Sequence, residues 1–216
     1  MLSRRIRLAF SLVACVLASH VARAQEPAVE SPRWTYEIRG AYFKPDLEQF
    51  ETFYGDDTAS YFGIAGTYRL RDWLELGGEY GLMSETGVGL LTESGTLGGT
   101  VELRLDPVQV FANYIFQRSV EQRVVPYVGA GLMVMRYEQK VDFQDDIEGR
   151  TDAGWSARAG VRFLIKTHTP TRRSSGDPYW RALAFVEAQH MSAEVDDVDL
   201  GGDAVVIGFR MEFDLN

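Results

Sequence analysis

His190 and Ser192 are the pair of residues in this sequence best suited by type and spacing to nucleophilic catalysis. Only Met191 separates them, and residues two apart on a β-strand face the same way. An imidazole that takes the proton of a serine hydroxyl activates the oxygen for attack on an ester. The sequence fixes no carboxylate to orient the histidine, although Glu194 is near. The alternative is a histidine at a strand end with no part in catalysis.

Glutamate and arginine recur at alternate positions of otherwise apolar runs. Enclosed charges must pair, because an unpaired buried charge costs several kcal/mol. The sequence therefore predicts an interior ion-pair network of Glu37, Arg39, Glu75, Glu79, Glu102, Arg104, Arg158, Arg162, Glu187, Arg210 and Glu212. Such a network would either fill the interior or line a narrow, ion-selective channel.

Clustered carboxylates form a third group of candidate residues. Hard divalent cations prefer such oxygen ligands, and the weak candidates are Asp145, Asp146, Glu148, Asp196, Asp197 and Asp199. Their spacing does not fit an EF-hand. They are either solvated loops, with no metal site, or sites where Ca²⁺ or Mg²⁺ bridges to phosphates of lipopolysaccharide.

Eight runs of alternating apolar and polar residues provide the elements that would position these groups. A period of two is typical of β-strands. The runs are Trp34–Tyr42, Phe62–Leu70, Leu74–Leu82, Val101–Tyr114, Val124–Tyr137, Trp155–Lys166, Trp180–His190 and Val205–Leu215.

The two faces of these strands indicate a membrane barrel. One face is aliphatic, with Trp34, Trp73, Trp155 and Trp180 near strand ends, as a lipid-facing band with aromatic girdles would be. The other face mixes small and charged residues, as a narrow, filled lumen would. The sequence predicts an all-β fold, an antiparallel up-and-down eight-stranded transmembrane β-barrel.

The fourth run changes phase near Pro107. Before it, Leu103 and Leu105 are assigned to the outer face with Glu102 and Arg104 inside; after it, the outer set begins at Val108. We interpret the change as a β-bulge.

The connections alternate in length. Segments 44–60, 84–100, 139–153 and 192–203 are long and mostly acidic, whereas those between them are shorter on average and lean basic. This predicts long outer loops, short periplasmic turns, and both chain ends on the periplasmic side.

The first 24 residues have the pattern of a secretory signal peptide. Arg4, Arg5 and Arg7 precede an apolar stretch that ends in Ala22-Arg23-Ala24, a small-x-small cleavage pattern. We expect a cleaved signal peptide over 1–24, a periplasmic linker over 25–33 and the barrel over 34–216. In the alternative, Cys15 is the acylated first residue of a lipoprotein.

Composition excludes several classes of protein. The net charge is −9, and no Lys/Arg-rich run offers a path for a nucleic-acid backbone. Removal of the signal peptide takes away four arginines and the only cysteine, and lowers the charge to −13. No cofactor motif is present, so no cofactor is expected.

Two short motifs resemble those of small outer-membrane barrels. Pro126-Tyr127-Val128-Gly129-Ala130-Gly131-Leu132 looks like the Pro-Tyr-x-Gly-x-Gly strand of the outer membrane protein W and OmpA-like barrel superfamily. Gly208, Met211 and Phe213 are similar to the C-terminal signal read by the barrel-assembly machinery, although the chain ends Asp214-Leu215-Asn216 instead of on an aromatic residue.

The superfamily resemblance implies lipid and lipopolysaccharide as surroundings and a structural role or narrow passage of small solutes. His190-Met191-Ser192 also resembles the His-x-Ser core of outer-membrane lipid A deacylases, whose next residue is Asn where this chain has Ala193. The protein is therefore expected to be non-enzymatic, with a lipid A-modifying hydrolase as the alternative.

Overall fold

The computed structural model describes residues 32–47, 50–91, 96–142, 146–168, 179–195 and 198–214. The predicted signal peptide, Cys15 and most of the predicted linker lie outside these residues. The elements are β1 (Trp34–Pro45), α1 (Phe50–Tyr54), β2 (Ala59–Arg71), β3 (Leu74–Leu91), β4 (Thr96–Ile115), β5 (Val124–Val141), β6 (Ile147–Arg150), β7 (Gly154–His168), β8 (Trp180–Ser192), β9 (Glu194–Val195), β10 (Val198–Asp199) and β11 (Gly202–Phe213).

Among the described residues, no helix is long and apolar enough to cross a membrane.

Eight antiparallel strands form one closed barrel. They pair in the order β1, β2, β3, β4, β5, β7, β8, β11, and β11 returns to β1 with Trp34 opposite Phe213 and Pro45 opposite Gly202. Closure gives each of the eight barrel strands a neighbour on both sides, which a strand surrounded by lipid requires. The predicted eight-stranded up-and-down barrel is confirmed. We call the end with the long connections the upper end, and the end where Trp34 meets Phe213 the lower end.

The barrel is apolar outside and charged inside. On β1, Tyr36 and Ile38 are 68% and 59% exposed, whereas Glu37 and Arg39 are 5% and 1% exposed. This is the reverse of a water-soluble barrel and follows from a lipid-facing outer surface.

Several aromatic residues, including three of the tryptophans, lie near the ends of the strands. At the lower end, Trp34 contacts Tyr68 with ring centroids 4.8 Å apart, and Trp180 stacks on His168 at 5.5 Å. At the upper end, Trp155 contacts His190 at 5.0 Å. Side chains with an apolar body and a polar tip are favoured at the boundary between lipid and water.

The upper half of β4 is a correction to the sequence prediction. Glu102 and Arg104 are exposed on the outside, and Leu103 and Leu105 are buried inside. The pairing of β4 with β5 is continuous through Pro107, so the predicted bulge is wrong. A strand segment in water exposes its charged residues and buries its apolar ones, and this part of β4 follows that pattern instead of the pattern of a strand in lipid.

The long connections also contain more regular structure than predicted. Segment 84–100 is mostly a continuation of β3 and β4 as a hairpin, and β6 and the β9–β10 pair lie within two other connections. In the first connection, Lys44 donates a hydrogen bond to the Asp57 carboxylate, and this bond lowers the pKa of Asp57.

Candidate functional site

The lower part of the lumen is filled by a layer of buried ion pairs, here called the charged layer. It consists of Glu37, Arg39, Arg69, Glu75, Glu79, Arg158, Arg162, Arg181, Glu187, Arg210 and Glu212, all at most 5% exposed. They come from β1, β2, β3, β7, β8 and β11. The layer therefore ties together strands that are not neighbours in the sheet.

Arg210 and Glu75 are central to the lower half of this layer. Arg210 donates to Glu37 at 2.6 Å, to Glu212 at 2.8 Å and to Glu75. Glu75 also accepts from Arg162 and Arg69, both at 2.9 Å. One carboxylate thus neutralises parts of three guanidinium groups, an arrangement that is stable only while every member is present.

Arg39 and Arg158 organise the upper half of the layer. Arg39 pairs with Glu37 at 2.6 Å, with Glu79 at 3.2 Å and with Glu187. Arg158 pairs with Glu79 at 3.2 Å and donates to Gln109 at 2.7 Å.

Two tyrosines complete the bonding of the carboxylates in the upper half. The hydroxyl of Tyr61 donates to Glu79 and that of Tyr127 donates to Glu187, each at 2.7 Å. Each of these carboxylates thus has both arginine and hydroxyl partners, which offsets the loss of hydration that burial causes.

Aromatic rings hold three of the arginines in place. The guanidinium groups of Arg39, Arg158 and Arg162 lie 5.1, 3.9 and 4.2 Å from the ring centroids of Phe185, Phe111 and Tyr127. Such cation–π contacts orient the guanidinium planes and add attraction where water is excluded.

Glycines make room for the same three rings. A Cβ atom at Gly208, Gly77 or Gly160 would lie 2.6, 2.6 or 2.7 Å from Phe185, Phe111 or Tyr127 respectively. The space that these rings occupy thus depends on the missing side chain of the glycine on the neighbouring strand.

Gly160→Ala is expected to lower the free energy of unfolding by about 1–3 kcal/mol, the usual cost of overpacking. The added methyl group would lie 2.7 Å from the Tyr127 ring and from the backbone oxygen of Val186. Urea unfolding of barrels refolded into lipid vesicles measures the change. Gly40→Ala is the matched control, since a Cβ there meets nothing within 4 Å; equal effects for the two variants would contradict the packing argument.

Above the charged layer lies an apolar layer. It contains Phe43, Met83, Leu105, Met133, Met135, Met191 and Val206, together with Phe50 of α1. Only about 10 Å³ of space remains in the cavity lined by Phe43, Tyr61, Met83, Leu105, Pro107, Met135 and Met191, which is at the lower limit for one water molecule.

The structure brings together nine of the eleven charged residues selected from the sequence. Glu102 and Arg104 are the exceptions; Arg104 instead pairs with Asp106 on the outside at 2.9 Å. Sequence reasoning missed Arg69 and Arg181. Arg69 has the parity of other inward residues on its run, and Arg181 has that of Glu187, so strand phase was a usable signal for both.

A match to a family model identifies the family. The model describes the outer membrane protein beta-barrel domain and matches residues 11–172. The chain belongs to this family. It is accordingly a barrel of the bacterial outer membrane, as predicted. Barrels of this membrane place long connections outside and short turns in the periplasm, which predicts that the upper end is extracellular.

Two solved structures from Pseudomonas aeruginosa share the fold. OprG is 11% identical, with 87% of this chain and 100% of that chain covered and a TM-score of 0.54. The N-terminal β-barrel domain of OprF is 14% identical, with 82% and 96% covered and a TM-score of 0.51. No match was found among curated proteins.

His190 and Ser192 lie at the upper end of β8 in this outer-membrane barrel. Nδ1 of His190 is 2.9 Å from Oδ1 of Asp203 on β11. Asp203, rather than Glu194, is thus the carboxylate that contacts the histidine. The two strands place His190 directly opposite Asp203, a pairing that the local sequence did not reveal.

The acidic loop candidates are only partly described. Asp145, Asp196, Asp197 and the side chain of Asp199 lie outside the described residues. Glu148 is exposed, 3.5 Å from Arg136, and Asp146 is exposed. Within the described ranges, no three acidic, histidine or cysteine side chains are grouped as metal ligands would be. Cation binding by these loops stays a prediction.

The C-terminal motif of the barrel has a packing role in addition to its predicted role in assembly. Gly208 lies beside the Phe185 ring, Phe213 stacks on Tyr36 at 5.6 Å, and Met211 is 47% exposed on the outer face. Recognition by the assembly machinery stays a prediction.

Proposed function

We propose that this protein is a closed, non-enzymatic structural barrel of the outer membrane rather than a channel. The observation that carries the proposal is the filled lumen, in which the charged layer and the apolar layer lie one above the other. A solute that passed through would have to separate buried ion pairs and displace Phe43, Leu105 and Met135. Each of those steps costs free energy, because the separated charges and the displaced side chains would not be stabilised by contact with water.

The two layers oppose different solutes, which strengthens the proposal. Ions would lose their hydration among the apolar side chains of the extracellular half. Apolar molecules that passed this layer would then meet buried glutamates and arginines that already bond to each other, such as Glu75 with Arg210. Neither class of solute finds a favourable path through both layers.

Conductance of the refolded protein in a planar lipid bilayer tests this proposal. We expect no channel events from preparations whose unheated protein migrates as a compact barrel on a detergent gel. The gel is the control for folding and shows that silence does not come from misfolded protein. Reproducible small conductance would overturn the proposal and favour narrow passage of small solutes.

A second candidate function is hydrolysis of an ester in the outer leaflet, favoured by the contact of His190 with Asp203. Asp203 would orient the imidazole, and His190 would take the proton of Ser192 as the serine oxygen attacks an acyl ester of lipid A. The ester C–O bond would break, the lipid A hydroxyl would leave with the proton from His190, and water would then release the fatty acid from the acyl-serine. All three residues lie at the extracellular end of the barrel, where the lipid A acyl chains begin.

The mass of lipid A from cells that express the protein decides this second candidate. A loss of acyl groups that depends on Ser192 would support it, with Ser192→Ala as the inactive variant. Ser60→Ala is the matched control, since Ser60 is an exposed serine near the same end of β2. Unchanged lipid A mass in cells with the wild-type barrel would exclude this activity.

A further inference from the structure

Arg181 is a buried arginine with a single ion-pair partner among the described residues. It is the second residue of β8, one position from the periplasmic end of the strand, and its side chain is 0% exposed. Among the described residues, its one ion pair joins Nη1 to Oε2 of Glu212 at 3.4 Å. None of its three side-chain nitrogens donates a hydrogen bond there.

The surroundings of Arg181 contain further unpartnered polar atoms. Oε2 of Glu212, Nε of Arg69 and Oγ1 of Thr67 are buried and likewise without hydrogen-bond partners within the described ranges. Thr67, Thr35, Glu212 and Arg181 form one inward row across β2, β1, β11 and β8, each opposite the next. Buried polar groups normally have partners, so this cluster points to a bound molecule.

The charges favour an anion over water as the occupant. The charged layer contains six arginines and five glutamates, so one positive charge is in excess. The lower half holds this excess, because Arg69, Arg162, Arg181 and Arg210 there share Glu37, Glu75 and Glu212. Water would satisfy the hydrogen bonds of Arg181 but not its charge, whereas an anion satisfies both.

We propose that the periplasmic mouth of the lumen binds a small oxyanion, a phosphate or carboxylate group, on Arg181. The planar guanidinium offers parallel N–H donors that match two oxygens of such a group. Arg69, which is 3.3 Å from the other oxygen of Glu212, adds a second positive charge on the far side of that carboxylate. The site is independent of whether the barrel conducts.

Phosphate-dependent thermal stability of the refolded full chain tests the site. The protein is refolded in an uncharged maltoside detergent, and sodium phosphate is titrated at constant ionic strength, because added salt alone would change the screening of charges. We expect a saturable rise in the midpoint of unfolding for the wild type. Arg181→Met should abolish this rise, and Arg104→Met, which removes an arginine on the outside, should keep it.

Two further arms identify the anion and guard against a variant that fails to fold. Arg181→Lys keeps the charge but loses the fork, and we expect its half-saturating phosphate concentration to rise roughly tenfold. Acetate in place of phosphate shows whether a carboxylate suffices. Vesicles with phosphatidylglycerol and no added phosphate show whether a lipid headgroup reaches the site: the wild type would then already be stabilised relative to Arg181→Lys.

No saturable response of the wild type to either anion would overturn the proposal. An equal response of the wild type and Arg181→Lys would also overturn it, since binding would then not depend on the arginine fork.

Discussion

Glu75→Gln is expected to lower the free energy of unfolding by about 3–5 kcal/mol, the usual cost of removing one partner from a buried ion pair. Glu75 is fully buried and bonds to Arg69, Arg162 and Arg210. The amide keeps the shape of the side chain but removes the carboxylate that Arg162 pairs with, and one of the carboxylates shared by Arg69 and Arg210. The large effect follows from that loss of charge rather than from a cavity.

Urea unfolding of the barrel refolded in lipid vesicles, followed by the loss of compact gel migration, measures this effect. Glu148→Gln is the matched control, because Glu148 makes an exposed pair with Arg136 at 3.5 Å. An exposed pair contributes about 1 kcal/mol or less. Similar shifts for the two variants would show that the charged layer does not stabilise the barrel.

Replacement of both Arg158 and Arg162 by alanine is expected to have the largest effect on stability. Arg158 loses its contacts with Glu79 and Gln109 and its place over the Phe111 ring. Arg162 loses its pair with Glu75 and its place over the Tyr127 ring. Each change leaves a different glutamate short of a partner and is expected to cost about 3–5 kcal/mol. Because both arginines belong to one network, the double variant should lose more than either single variant, but the two effects should not simply add.

Thermal unfolding and planar-bilayer recordings of the single and double variants test this second prediction together. The matched control is the double variant Arg104→Ala with Arg136→Ala. Both arginines lie outside the lumen, and their side chains are 47% and 65% exposed. Unchanged stability of the Arg158 and Arg162 variants, combined with altered ion selectivity, would favour a channel lining over a structural network.

The barrel itself could be predicted from the sequence, because the alternation of residue types along a strand and the preference of apolar residues for lipid are both local properties. Tyr36, Glu37, Ile38 and Arg39 alternate in the sequence, and the structure exposes the first and third and buries the second and fourth. A strand has only two faces, and successive side chains point to opposite ones. The residues of one run that share a face can therefore be identified without knowledge of any other strand.

The same rule gave the wrong face for Glu102 and Arg104. Alternation shows which residues share a face but not which medium that face meets. From Val108 towards the lower end, the outer surface of β4 is apolar; from Pro107 towards the upper end, it carries charge. An apolar residue therefore faces outward in the lower part of this strand and inward in the upper part. Only the height of each residue in the closed barrel shows where the change occurs.

The sequence by itself thus determined the strands, which residues of a strand share a face, and the presence of buried charge, because these depend on local periodicity. The tertiary structure alone decided the partners. Glu75 pairs with Arg210 from the last strand, His190 contacts Asp203, and Arg181 pairs with one oxygen of Glu212. Strand register and barrel closure bring these residues together over more than a hundred positions or across a loop. No local pattern records that distance, which is why the surplus charge at Arg181 became visible only in the folded barrel.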